Sequence, residues 1–430
     1  MVRSVQLRFG EGEIQVDVPD GVPCQVIRKP GTSPIEDPSD AVREALENPV
    51  GAESLESAAK RAKSACIAIC DITRPVPNAL FLRPLIEKLI RAGLARDRIC
   101  IVIATGLHRP NLGKELEELI GDPWVIERIK IWNHQAEDDL QHVLLGKTET
   151  RGTVVRLDRR FVEADLKIVT GLVEPHFMAG YSGGRKVIAP GLAHSETIRT
   201  FHSARFMADP AAANCNLLGN PLHEEQLEIV RMIGEVYSLN TVIDEARSLI
   251  DLNFGEVIAS HQAIVDRARS FCEVSVEQRF STILTSAAGY PLDKTYYQTI
   301  KGMVGALGVL ERGGDLIIAS ECSEGFGSKA FRDAQEKLVH HGSRAFLAQI
   351  SEKSLADIDE WQTQKQIQPM EHGEIHLYTK GLNREEQSLT GVRCVTNLQD
   401  TLNECLKKSA NPSLGVIPEG PYVIPQYKEK

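Results

Sequence analysis

Ala65-Cys-Ile-Ala-Ile-Cys-Asp-Ile-Thr-Arg-Pro-Val-Pro-Asn78 is the stretch on which the fold turns. The run Ala65–Cys70 has strand length and no polar alternation, as a strand covered on both faces requires. It gives way at once to Asp71, Thr73 and Arg74. Two prolines then lead into Ala79–Leu94, where apolar residues recur at helical spacing and Gly93 stands near the end. A buried strand, a polar turn and an amphipathic helix are the building unit of a parallel sheet.

The same alternation extends outward. Ile99–Ala104, Ile129–Trp132 and Leu166–Thr170 read as further strands. Upstream, Val5–Val18 broken by Gly10-Glu11-Gly12 reads as a β-hairpin, and residues 28–41, rich in Pro, Asp and Ser, as a loop. Residues 225–275 are mixed helix and strand without evident chemistry. A second βα pattern begins near Ser281, with strands expected at Thr282–Thr285, Leu316–Ala319, Ala345–Leu347 and Ile375–Tyr378. Helices are expected at Tyr296–Leu310, Ala330–His340 and Leu398–Lys407. The expected fold is therefore α/β in two domains. A larger N-terminal domain with a mostly parallel sheet spans residues 1–272, and a smaller C-terminal α/β domain spans 278–407, with the active site in the cleft between them. The proline-bearing tail, 408–430, is expected to return to the first domain.

Of 430 residues, 42% are hydrophobic and 25% charged, which suits a globular protein with a sizeable core. A formal charge of −10 argues against a general nucleic-acid binder but leaves room for a local basic pocket. Nine cysteines are scattered without a CxxC pair or zinc-like spacing, and read as reduced, buried thiols of a cytosolic protein. Met1–Gly10 reads as a strand and not as a secretion signal, and no apolar stretch approaches the roughly 20 residues of a membrane span. The expected location is cytoplasmic, with no nucleic-acid or membrane partner.

Ligands of open parallel sheets bind beyond the carboxyl ends of the strands. The four N-terminal strands run into Asp71–Arg74, Thr105-Gly-Leu-His108, Asn133-His134 and Gly171–His176, each polar and reactive. Thr73 and Arg74 precede a helix N-terminus, a setting that suits a phosphate or carboxylate; the alternative is a capped turn with a surface arginine. His108 is a candidate acid or base at the sheet edge. Glycines 180, 183 and 184 permit unusual backbone angles around Lys186, ten residues after His176. The spacing is not that of a Walker loop, and Lys186 is open to three readings: covalent attachment point, base or phosphate contact. Ser195–Met207 reads as a helix with Ser195 as N-cap and His202 along it; spacing alone gives His202 little support as a metal ligand. Tyr297 and Lys301, four apart, share a helix face suited to an anion.

Together, Asp71-Ile-Thr-Arg-Pro75, Gly106-Leu-His108, Glu174-Pro-His176, Gly183-Gly-Arg-Lys186, His202 and Tyr297-Gln-Thr-Ile-Lys301 resemble the nickel-pincer lactate racemases and their 2-hydroxy acid racemase and epimerase relatives. The match runs over most of the chain. The resemblance implies a pyridinium mononucleotide bearing thioacid groups (pyridinium-3-thioamide-5-thiocarboxylic acid mononucleotide) that holds nickel and is joined to Lys186. It implies His202 as the protein ligand to nickel, and Asp71, Thr73, Arg74, Gly183, Gly184, Tyr297, Gln298 and Lys301 around the cofactor. His108 and His176 become the paired acid/base groups, and Arg74, Tyr297 and Lys301 the contacts for a small 2-hydroxy acid. Hydride passes to the cofactor and back, which avoids deprotonating a carbon beside a carboxylate. Cofactor-synthesis enzymes are implied as loading partners. Arg185, a charge beside the attachment lysine, reads either as solvated or as a contact for a second carboxylate or a polyol. Two other functions stay open: a nickel-free enzyme using Lys186 in a Schiff base, and a non-catalytic small-acid binding protein.

Overall fold

The computed structural model describes residues 4–244 and 246–428. The chain forms two compact units: one comprises Gly31–Phe201 and Asn216–Arg269, the other the chain up to Pro30, His202–Cys215 and everything from Ser270 onward.

The first unit is built on six strands in the order Leu249–Glu256, Tyr237–Ile243, Leu166–Leu172, Ala65–Cys70, Ile99–Ala104, Lys130–Asn133. All neighbours are parallel except the first pair. The central strands are buried at nearly every position. Alternate residues Ile67, Ile69, Ile101 and Ile103 join one core cluster, while Cys66, Ala68 and Val102, equally buried, point to the opposite face. The helix Asn78–Arg91 covers the first face with Phe81, Leu82, Leu85, Ile86 and Leu89, the three-and-four spacing of an amphipathic stripe. Each such side chain contributes about 1.5–3 kcal/mol on burial. The expected strands and this helix are all present, each within a few residues of its expected ends.

The second unit has a six-stranded parallel sheet in the order Arg393–Val395, Glu374–Tyr378, Leu310–Ala319, Phe280–Ser286, Leu414–Ile417, Cys24–Val26. This order departs from the expected division at three places. The N-terminal hairpin, Ser4–Phe9 with Gly12–Asp17, forms as expected, but it buries Val5, Leu7, Phe9 and Val16 against Leu284, Ile317 and Leu402 of this second unit. Cys24–Val26 adds an edge strand beside Leu414–Ile417. The tail also stays here: Leu414–Ile417 is an inner strand, and Ile424–Tyr427 pairs with Glu273–Val276. Unpaired strand edges and an apolar hairpin face draw these segments in, and no local pattern announces such distant pairing.

Two local expectations also fail. Ala345–Leu347 is helical, inside Ser343–Ser351, because Phe346 and Ile350, four apart, both enter a cluster with Ala334 and Leu338. The expected helix Ser195–Met207 is two short ones, Ser195–Phe201 and Ala204–Met207. Ser195 is the first helical residue and not the cap; His194 Nδ1 accepts the Glu196 N–H at 3.1 Å. The break falls at His202-Ser203, where Ser203 is extended (φ −68°, ψ 161°). Among the described residues, no helix is long and apolar enough to cross a membrane.

Candidate active site

The parallel strands of the first unit place Asp71, Thr105 and Val173 at one edge of the sheet, on three neighbouring strands. Asp71 is buried just beyond Cys70. Its Oδ2 lies 2.6 Å from His108 Nδ1, and its Oδ1 accepts from Thr73 Oγ1 at 2.5 Å and from the Thr73 N–H at 3.2 Å. Burial pushes the Asp71 carboxyl up; the bonds from His108 and Thr73 and the nearby Arg74 more than offset this, so it sits below its ordinary range. A charged Asp71 accepts the Nδ1 proton of His108 and leaves Nε2 with a lone pair on a ring whose side chain is 62% exposed. Asp71 is thus occupied in orienting His108, a different task from the cofactor contact expected of it.

Two asparagines brace this corner. The Ile72 N–H donates to Asn111 Oδ1 at 3.1 Å, and the Asn111 N–H to Asn133 Oδ1 at 2.8 Å. Asn133 therefore serves the loop and not a ligand. Its neighbour His134 is also structural. Thr105 Oγ1 donates to the His134 carbonyl at 2.8 Å, and His134 Nε2 faces His142 Nε2 at 3.0 Å. Burial drags His134 down to about 3, so it stays neutral. Of the four polar strand ends, three carry candidate chemistry and the fourth holds the frame.

After Leu172 the chain turns through a small hairpin, Pro175–His176 against Gly180–Tyr181, into the one-turn helix Arg185–Ile188. Ser182 ties the turn, donating to the Leu172 carbonyl at 2.7 Å and accepting from the Glu174 N–H at 3.1 Å. Lys186 Nζ lies 3.2 Å from His176 Nε2, which brings the two expected residues together. His176 Nδ1 accepts from the Met178 and Ala179 N–H groups at 3.3 and 3.2 Å. Glu174 forms an ion pair with Arg74, so an anionic ligand at Arg74 shares or displaces that carboxylate. Gly183 and Gly184 have φ of +76° and +48°. A Cβ on Gly183 would meet Val173 at 2.6 Å and one on Gly184 would meet His261 at 2.9 Å, so both serve close packing within the chain. Arg185 is not solvated: it is 1% exposed.

His202, Tyr297, Gln298 and Lys301 belong to the second unit. His202 lies against Trp361, ring centroids 4.9 Å apart. Tyr297 packs edge-on against Phe331 at 5.1 Å, and its carbonyl accepts from Gln362 at 2.6 Å. Burial, then Asp359, pushes the Tyr297 phenol well up, with Trp361 acting in the opposite direction. Trp361 thus lies near both His202 and Tyr297; nothing local marks it in the sequence. Gln298 Oε1 is buried without a hydrogen-bond partner. Among the described residues, one group of three side chains is close enough to hold a metal: Asp315, His376 and Cys405. It includes no expected site residue. Lys408 already lies 3.4 Å from the Asp315 carboxylate, and burial followed by Asp315 pushes the Cys405 thiol up to about 12.

Residues 9–214 match the model of the lactate racemase N-terminal domain, and residues 276–424 that of the lactate racemase C-terminal domain. The chain belongs to the lactate racemase family. Lactate racemase of Thermoanaerobacterium thermosaccharolyticum is 29% identical over 438 residues, covering 99% of this chain and all of that protein. Lactate racemase of Lactiplantibacillus plantarum is 33% identical over 292 residues, 68% of each chain. The solved lactate racemase apoprotein from T. thermosaccharolyticum superposes with a TM-score of 0.91 at 27% identity, over 98% of this chain and 100% of that one. A Thermotoga maritima structure (TM-score 0.64, 18% identity, 89% of this chain and 100% of that one) shares the fold alone. As a lactate racemase family member the chain is an isomerase, with the mixed α/β, two-domain layout of its relatives.

Proposed function

We propose that the chain racemises a 2-hydroxy acid, lactate first among the candidates, using a nickel-pincer pyridinium nucleotide attached to Lys186. The observation that carries the reading is the Asp71–His108 bond at 2.6 Å, with the His176–Lys186 pair on the same sheet edge. Three features fit the cofactor. Lys186 offers a primary amine beside an imidazole, the group a thioamide link consumes. His202 presents an imidazole beside Trp361, and a metal held by it would draw further donors from the cofactor. Gln298 Oε1 is a buried acceptor left without a donor.

In this reading Lys186 tethers the cofactor, His202 ligates nickel, and Thr73, Arg74, Tyr297, Gln298 and Lys301 hold its anionic groups and the substrate. When bound, the cofactor supplies a hydride acceptor and donor that no side chain provides. His108, its Nδ1 held by Asp71, accepts the substrate hydroxyl proton at Nε2. His176 is the partner acid/base on the other side of the exchange, and the two roles interchange for the mirror enantiomer. Arg74 or Lys301 holds the carboxylate while the keto acid turns. The test is racemisation of each pure lactate enantiomer by protein produced with the cofactor-making enzymes. Conversion in both directions is expected, and its loss in His108→Ala. A loaded protein that leaves lactate and other 2-hydroxy acids unchanged contradicts the proposal.

A further inference from the structure

We propose that Arg185 is a positioning residue for His176, acting through the turn Met178–Tyr181. Its guanidinium is buried, and its Nη2 donates to the carbonyls of Ala179 at 2.9 Å and Tyr181 at 3.0 Å. Its Nη1 lies 2.8 Å from His261 Nε2, while Nε is buried without a partner. No carboxylate is among these contacts. Burial alone pulls the guanidinium down to about 9, and the same burial, then Arg185 itself, keeps His261 neutral. A cation buried with no counter-charge is costly, so it needs a structural return.

That return is at Ala179. Its carbonyl is held by Arg185, and its N–H, with that of Met178, donates to His176 Nδ1. Asn220 Nδ2 anchors the same turn by donating to the Met178 carbonyl at 2.9 Å. Gly180 between them has φ +76°, and a Cβ there would meet the Asn216 carbonyl oxygen at 2.3 Å, so the turn has little slack. A ring nitrogen that accepts hydrogen bonds carries no proton. Both ring nitrogens face donors, Nδ1 the two backbone N–H groups and Nε2 the Lys186 amine; the backbone groups are fixed by the turn whereas the lysine side chain can rotate, so in the resting chain neutral His176 has its proton on Nε2. Removing the guanidinium takes one donor from the Tyr181 carbonyl and leaves the Ala179 carbonyl with the Tyr181 N–H at 2.9 Å alone. The turn then relaxes, and the ring samples both tautomers.

The tautomer is independent of the racemase reading; only the activity arm below rests on it. The test is a long-range 15N–1H correlation spectrum of the full chain, with His176 assigned by its absence in His176→Asn. The wild type is expected to show the Nε2–H tautomer, Arg185→Met a mixture in a protein that still melts cooperatively, and Arg185→Lys an intermediate pattern. In cofactor-loaded enzyme, Arg185→Met should lower kcat about 10- to 100-fold with KM little changed. A wild-type His176 protonated at Nδ1 overturns the proposal with no variant needed. So does a folded Arg185→Met with an unchanged tautomer. If Arg185→Met does not fold, the wild-type and Arg185→Lys spectra decide. If wild-type loaded protein shows no turnover while the tautomers behave as stated, the racemase reading fails and this one stands.

Discussion

Asp71→Asn removes one negative charge from a buried site and keeps the side chain's shape. In the wild type the carboxylate accepts the His108 Nδ1 proton at 2.6 Å, a charge-assisted bond. Such bonds contribute about 1.5–3 kcal/mol, which corresponds to roughly 10- to 150-fold in rate at 1.4 kcal/mol per tenfold. The His108 side chain is 62% exposed, so solvent screens part of this, and a loss of about 10- to 50-fold in kcat is expected. Asparagine offers either an acceptor or a donor to Nδ1. If its amide N–H₂ turns towards the ring, Nε2 becomes protonated and the loss grows towards the roughly ten-thousand-fold of an equivalent change in a serine-protease triad. KM should change little, because Asp71 does not face the substrate in this scheme. The assay is chiral chromatography of lactate from each enantiomer. The equilibrium constant of a racemisation is one, so kcat/KM must fall by the same factor in both directions, which gives an internal check. A folded, cofactor-loaded Asp71→Asn with wild-type kcat refutes the role assigned to the pair.

Other outcomes follow from the same structure. Asp71 has a lowered folded-state pKa, so its contribution to stability is complete above its unfolded value, about 3.9, and is lost as pH falls below it through the folded value; Asp71→Asn should flatten the melting temperature over that acid range. His134 works higher up: its folded value of about 3 lies below its unfolded value near 6.5, so protonation favours the unfolded chain and stability declines as pH drops between the two, a slope that His134→Gln should reduce in a pH series of thermal melts. Leu85→Ala, in the fully buried stripe of the helix Asn78–Arg91, should cost about 2–5 kcal/mol in urea unfolding of a mutant pair, with the circular dichroism of the folded state unchanged. His202→Ala should lower nickel content while leaving any adduct on Lys186 in place, as read by metal analysis and mass spectrometry together.

The strands of the first unit were legible because a strand buried on both faces leaves an unbroken apolar run, as in Ala65–Cys70 and Ile99–Ala104. The candidate site residues were legible by position: strand ends mark where a parallel sheet binds its ligands, and that rule puts His108 and His176 just past the strands Ile99–Ala104 and Leu166–Leu172. What stayed hidden depends on distance along the chain. Cys24–Val26 pairs with a strand almost 400 residues later, and only the sheet's open edge explains it. Ala345–Leu347 was too short for its period to separate a strand from a helix turn. His134 looked as reactive as His108; the difference lies in burial, which no local pattern reports. Arg185 invited a ligand because a charge beside Lys186 suggests one, yet its partners are carbonyls six and four residues upstream. Trp361 is more than 150 residues from His202 and carried no signal at all.

The central claim is that Lys186 carries the cofactor and the chain holds nickel through it. Intact-protein mass spectrometry with metal analysis, on protein produced together with the cofactor-making enzymes, tests both at once. The account predicts a single adduct mapping to Lys186, nickel approaching one per chain, and loss of the adduct in Lys186→Ala. Protein that racemises lactate with neither adduct nor nickel, or a Lys186→Ala variant with full activity, contradicts it.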